Sequence, residues 1–191
     1  MLIAGVDEVG YGALVGDIVA AAVILPDKHK IKGIKDSKQL TASVREELYI
    51  QITTNAIAWS IASANHLEID AINILNANLL AMQRAVAGLK VSPDKVLVDG
   101  NKVPDIPYPV TAIVQGDATV EQISAASIIA KVWRDRTMFE LDKLHPQYGF
   151  ASHKGYSTAQ HLAALQKYGP IKEHRRSFSP VALALRTTVE V

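Results

Sequence analysis

Residues 2–25, LIAGVDEVGYGALVGDIVAAAVIL, contain the pattern that decides the fold. Leu2 to Val6 is a short apolar strand that runs into two acids, Asp7 and Glu8. A turn punctuated by Gly10, Gly12 and Gly16 follows, and Ile18 to Leu25 is apolar on both faces and rich in valine and isoleucine. Such a run reads as a central strand, and Pro26 closes it because proline cannot donate to a sheet ladder. Two strands with a tight turn between them predict an antiparallel pair, with acid at the end of the first.

Downstream, helices and strands alternate. Ser43 with Glu46 forms a capping box, and Val44, Leu48 and Ile52 share one helical face. Ile57, Trp59 and Ile61 alternate as in a strand. From Glu68 to Leu89 the apolar residues Ile72, Leu75, Leu79, Met82 and Val86 fall at helical spacing. Val96 to Val98 is a short buried strand delivering Asp99 to a turn at Gly100, and Val110 to Val114 is another, ending at Gly116-Asp117. Thr119 with Gln122 caps a long helix towards Leu144. An irregular loop, Pro146 to Gly155, precedes a helix capped by Ser157 with Gln160 and stopped by Gly169-Pro170, and Ser179-Pro180 opens a last one. This order predicts one α/β domain over residues 1–191: a mixed sheet with helices on its faces and a helical C-terminal part.

Composition removes several function classes. Hydrophobic residues make up 49% of the 191, enough for a proper core. The absence of cysteine excludes disulfides, thiolate metal sites and a cysteine nucleophile. The N-terminus has no basic segment and meets acid at Asp7, and the longest apolar run, Ile18 to Leu25, is too short to cross a bilayer. A cytoplasmic protein is expected. The formal net charge is +1, so any basic surface for nucleic acid must be local.

Asp7-Glu8, Asp99 and Asp117 stand at three strand ends. In an α/β sheet such ends meet at one edge, where ligands bind. Carboxylates gathered there repel one another unless a cation lies between them. Oxygen-only ligands select magnesium or manganese over zinc or copper, and two such ions about 3.5–4 Å apart suit phosphate chemistry. The glycine turn is not a dinucleotide fingerprint. Its spacing is G-x-G-x-x-x-G, two acids precede it, and a strand rather than a helix follows.

These residues also match a family. Ala4-Gly5-Val6-Asp7-Glu8-Val9-Gly10 with Gly12 resembles the opening motif of type 2 ribonuclease H. Asp36-Ser37-Lys38 with Leu40, Val98-Asp99-Gly100, and Gly116-Asp117 followed by Ala125 to Ser127, Lys131 and Arg134 agree in order and spacing. His153-Lys154-Gly155-Tyr156 with Thr158, and His174-Arg175 with Ser177-Phe178, complete a resemblance spanning residues 3 to about 185. It implies a ribonuclease H-like fold, a five-stranded mixed sheet flanked by helices. It implies an endonuclease acting on RNA–DNA hybrids and on ribonucleotides embedded in duplex DNA. It implies a cut 5′ to the ribonucleotide that leaves a 3′-hydroxyl and a 5′-phosphate, and a role in removing misincorporated ribonucleotides and RNA primers. Asp7, Glu8, Asp99 and Asp117 would hold two magnesium or manganese ions. Tyr156 would stack on the sugar at the junction, and the loop of Gly10, Tyr11 and Gly12 would read the 2′-hydroxyl. Lys38, Lys154 and Arg175 are candidate phosphate contacts from two sides, with Arg175 alternatively holding the tail in place. The protein is expected to act as a monomer, and its tail, RTTVEV, has no aromatic box for a sliding clamp.

The chain departs from the family at Tyr11, where arginine or lysine is usual, and at Ala13, Asp17 and Ser157. Backbone readout at Gly10 and Gly12 survives Tyr11, whereas a phosphate contact from the missing cation does not. Tyr11→Arg is therefore expected to tighten substrate binding, more at low than at high salt, because each new phosphate contact releases counterions. Binding isotherms at two salt concentrations check this; an unchanged affinity and salt slope refutes it.

Overall fold

The computed structural model describes residues 1–34 and 40–189, with side chains through Arg186. Two hairpin-connected strands, β1 (Ile3–Val9) and β2 (Ile18–Ile24), pair antiparallel as the sequence predicts. β3 (Ala58–Ala64) adds antiparallel to β2, while β4 (Lys95–Asp99) and β5 (Val110–Ile113) add in parallel on the other side of β1. The five-stranded mixed sheet has the order β3-β2-β1-β4-β5.

Strand alternation sorts the core into two layers. Ile18, Ala20, Ala22 and Ile24 of β2 face α2 (His66–Ala87), packing with Ala77, Ala81, Met82 and Ala85. Val19, Ala21 and Val23 face the other way, onto α1 (Ala42–Asn55) and α4 (Glu121–Leu144), through Leu48, Ile52, Ala125 and Ile129. This double cover is why β2 has no polar face. The chain between β5 and α4 makes one turn, α3 (Gly116–Thr119). After α4 come α5 (Phe150–His153), α6 (Ala159–Tyr168) and α7 (Ser179–Val189).

Local details differ from the sequence reading. Thr41 rather than Ser43 caps α1, accepting from Val44 N–H, and Thr158 rather than Ser157 caps α6, accepting from His161 N–H. Neighbouring hydroxyl residues offer the same cap chemistry, so the backbone dihedrals decide between them. At α4 no side chain caps the first turn; Thr119 Oγ1 donates back to Gln115 O instead. The long amphipathic segment is two helical pieces meeting at Asn73 (φ 68°), whose carboxamide oxygen accepts from Asn76 N–H and caps the second piece. The loop from Pro146 contains the single turn of α5.

Gly5 fixes how close α4 lies to the sheet. A Cβ there would meet the Gln122 carbonyl carbon at 2.1 Å and the Ile123 nitrogen at 2.3 Å. Those atoms are backbone and cannot turn aside. Gly5→Ala is thus expected to force β1 from α4 and to cost about 1–3 kcal/mol or more, as overpacked cores do. Urea unfolding measures the loss, and an unchanged midpoint would show that α4 can slide.

Candidate active site

β1 and β4 run parallel with Val6 opposite Val98, so the next residues, Asp7 and Asp99, are neighbours at the same edge. Val6 and Val98 face α2, so by alternation Asp7 and Asp99 face α4. Glu8 points the opposite way, bordering a cleft shared with Asn78 and Met82 of α2. Asp117 arrives from α3, where its backbone N–H donates to Asp99 Oδ1 (3.2 Å). Ser124 of α4 holds the same turn by donating to Asp117 O. All four acids line one cavity of about 460 Å³.

The cavity is electrostatically tense. Asp7 and Asp117 are only 5% and 4% exposed. Burial raises the Asp7 carboxyl well above the usual carboxylate range, and the charges of Glu8 and Asp99 push it further. A hydrogen bond with Ser127 of α4 and the Glu8 N–H, 2.7 Å from Asp7 Oδ1, work against that rise. The donor set facing the cavity is oxygen-rich and acidic, which is the chemistry of a hard divalent cation. Among the described residues, no three acidic or histidine side chains are arranged as they stand to hold a metal ion.

The rest of the wall comes from the glycine loop and from Tyr156. Gly10, Tyr11, Gly12 and Tyr156 border the same cavity, and Tyr11 is 41% exposed. Gly10 has φ +93°, and a Cβ there would meet Arg134 Nε at 2.3 Å. Arg134 of α4, fully buried, donates to the carbonyls of Asp17 (3.3 Å), Val15 (3.2 Å) and Lys154 (2.8 Å), and its guanidinium lies 5.5 Å from the Tyr156 ring centroid.

Arg175 is not at the surface. It is 0% exposed, donates to Gly16 O (2.9 Å) and Tyr11 O (3.1 Å), and lies over the Phe178 ring. The expected direct phosphate contact is therefore corrected: this cation faces the loop backbone from behind. Lys154 lies beside the cavity rather than in it. Its ammonium donates to Ala151 O, sits 4.3 Å from the Phe139 ring centroid and borders an adjoining cleft with Arg45 and Lys131. Lys38 lies outside the described residues.

Arg45, Ser127 and Lys131 also line the catalytic cavity, and the sequence reading assigned them no role. Ser127, Lys131 and Arg134 follow at intervals of four and three along α4, so their common face was readable as a polar stripe on a buried helix. Nothing local marks Arg45. Asp70, another missed residue, accepts from Arg176 N–H (2.9 Å), Ser177 N–H (2.9 Å) and Ser177 Oγ (2.6 Å), fastening the segment after Arg175 to α2.

His153, His161 and His174 are interior. His161 Nδ1 donates to Tyr156 O (2.9 Å), which leaves its Nε2 to accept from His174 Nε2 (3.0 Å); His174 Nδ1 then accepts from Ile171 N–H (3.0 Å). This bonding pattern requires both rings to be neutral. His153 stacks on His161 with ring centroids 4.6 Å apart.

The chain superposes on the crystal structure of the ribonuclease H2 from Pyrococcus horikoshii OT3 with a TM-score of 0.84 and 28% identity, covering 100% of both chains. It also superposes on the ribonuclease HII in the PCNA:RNase HII complex from Archaeoglobus fulgidus, with a TM-score of 0.80 and 26% identity over 94% of this chain and 96% of that one. The fold and the acids at its sheet edge thus define a ribonuclease H-like enzyme. The family model described as Ribonuclease HII matches residues 4–181, and a Ribonuclease HII from Paracidovorax citrulli is 57% identical over 188 residues, 98% of this chain and 78% of the relative. The chain belongs to the ribonuclease HII family and is a ribonuclease H endonuclease. Among the described residues no helix is long and apolar enough to cross a membrane.

Burial lowers His161 to about 4 and His174 to about 3, with the neighbouring histidine charges adding to each effect. Unfolding returns both to the ordinary value near 6.5. Below that pH the unfolded chain binds more protons, so these two groups lower stability as pH falls from about 6.5 towards 4. Asp7, raised by folding, contributes in the opposite sense, because the folded state keeps its proton longer. Comparing wild type with His161→Gln isolates the histidine. The variant should lose less stability between pH 6.5 and 4.5, by a slope approaching about 1.4 kcal/mol per pH unit. Parallel urea-unfolding curves across that window would show that His161 takes up no proton on unfolding.

Proposed function

We propose that the chain is a divalent-metal-dependent endoribonuclease acting on the RNA strand of RNA–DNA hybrids and 5′ to ribonucleotides embedded in duplex DNA. The products are a 3′-hydroxyl and a 5′-phosphate, and the role is removal of misincorporated ribonucleotides and RNA primers. The observation that carries this reading is the meeting of Asp7, Glu8, Asp99 and Asp117 in one cavity that the glycine loop and Tyr156 also line. In this reading the protein works in the cytoplasm as a monomer; a chain without cysteine suits a reducing compartment.

The four carboxylates would hold magnesium or manganese, two ions per site. The bound metal would supply an activated water and charge stabilisation for the leaving oxygen. Ser127 and the Asp117 N–H orient the carboxylates of Asp7 and Asp99. Tyr156 offers a flat face for a sugar lacking the 2′-hydroxyl, and the loop offers backbone donors for a sugar that has it. Arg45 and Lys131, bordering the cavity as cations, are placed for strand phosphates.

The test uses duplex DNA carrying one ribonucleotide, an all-DNA control and an RNA–DNA hybrid, each with magnesium or manganese. Wild type should cut the first 5′ to the ribonucleotide and leave the control intact. Asp117→Asn should lose at least about a hundredfold in rate, as loss of an electrostatic group at a reacting phosphate does. Cleavage without added metal, or an Asp117→Asn variant as fast as wild type, overturns the metal mechanism; cleavage of the hybrid alone overturns junction recognition.

A further inference from the structure

We propose that Arg175 is a positioning residue for ribose recognition: it holds the Tyr11–Gly12 peptide with its carbonyl inward, so that the Gly12 N–H is presented to the substrate sugar. This rests on the reading of the glycine loop given above and adds what fixes the loop's orientation. Among the described residues no peptide bond is cis, so the C=O of Tyr11 and the N–H of Gly12 lie in one plane and point in opposite directions. Arg175 Nη1 takes the Tyr11 carbonyl at 3.1 Å from the buried side. The Gly12 N–H is thereby turned outward, at a residue that is exposed, borders the catalytic cavity and has no atom within 4 Å of where a side chain would begin. Nothing there obstructs a close approach by a sugar.

The guanidinium is held through Nε and Nη1, while its buried Nη2 has no hydrogen-bond partner among the described residues. Its Nε donates to Gly16 O at 2.9 Å, at the far end of the loop, so one planar group spans residues 11 to 16. Its own backbone N–H donates to Leu14 O (2.8 Å), and Gly16 N–H donates to Glu173 O (2.9 Å), forming an antiparallel bridge at Val15 and His174. The Phe178 ring closes one face, and Asp70 pins the two following residues. From His174 the paired imidazoles run to the Tyr156 carbonyl, so the loop and the tyrosine share one frame. Lysine keeps the charge but lacks the fork that grips two carbonyls at once.

The experiment compares Arg175→Lys with its parent in the Asp117→Asn background, with magnesium present. Affinities are measured for a DNA duplex carrying one ribonucleotide and for the all-DNA duplex, alongside the thermal unfolding midpoint. The parent should prefer the ribonucleotide duplex. Arg175→Lys should cut that preference about tenfold, the worth of one well-placed hydrogen bond, with all-DNA affinity unchanged. A purely structural role would weaken both duplexes together. A preference that survives the substitution overturns the proposal alone; a parent with no preference removes the loop reading and the proposal with it. If Arg175→Lys fails to fold, magnetic resonance on the chain with native Arg175 decides. The Gly12 amide and Arg175 Nε–H signals should both shift on adding the ribonucleotide duplex and not on adding the all-DNA duplex. An unmoved Gly12 amide overturns the proposal.

Discussion

The parallel pairing of β1 with β4 puts Asp7 beside Asp99 at one sheet edge, and the fold must hold those like charges together. In water two such side chains would swing apart. Here the ladder fixes both backbones, α4 closes over Asp7, and the α3 turn adds Asp117 within reach of Asp99. Even the Gly5 contact belongs to this requirement, because only without a Cβ can α4 come close enough for Ser127 to reach the Asp7 carboxyl. The site therefore stores electrostatic strain within a well-packed sheet, and the raised Asp7 carboxyl expresses that strain.

A second set of buried charges does the opposite work. Arg134 and Arg175, both fully enclosed, meet backbone carbonyls of residues 11 to 17 and of Lys154 instead of carboxylates. Burial and the neighbouring Arg134 charge lower Arg175 to about 9, against the opposing pull of Asp17 and Asp70. Carbonyl dipoles are modest partners for a cation, but several of them converging from one loop are consumed in the process. The loop gains a single orientation from this arrangement. Acids in front and guanidiniums behind give the glycine turn opposite electrostatic sides.

The C-terminal part is bound into this frame and is not an appendage. The bridge at Val15 and His174 and the paired histidines tie α6 and the segment before α7 to the N-terminal hairpin, and the Asp70 clasp ties that segment to α2. Tyr156 and the glycine loop, far apart in sequence, are consequently joined by one set of hydrogen bonds. Neutral imidazoles suit this role because a neutral ring can donate at one nitrogen and accept at the other, so a chain of them has a direction.

The sequence by itself determined the α/β class and the strands that deliver Asp7, Glu8 and Asp99, because apolar periodicity and strand-end acids are local signals, whereas Asp117 falls on the α3 turn beyond β5. The two-sided cover of β2 was legible for the same reason. Tertiary structure alone decided which side chains back the site. Arg175 and Lys154 read as surface cations in a basic stretch, yet one is enclosed behind the loop and the other lies against Phe139. Asp70, Arg45 and the pairing of His161 with His174 join residues whose local sequence carries no mark of the partner. Charge is a property of a residue, but whether it meets solvent, a carbonyl or a phosphate depends on what the rest of the chain packs against it.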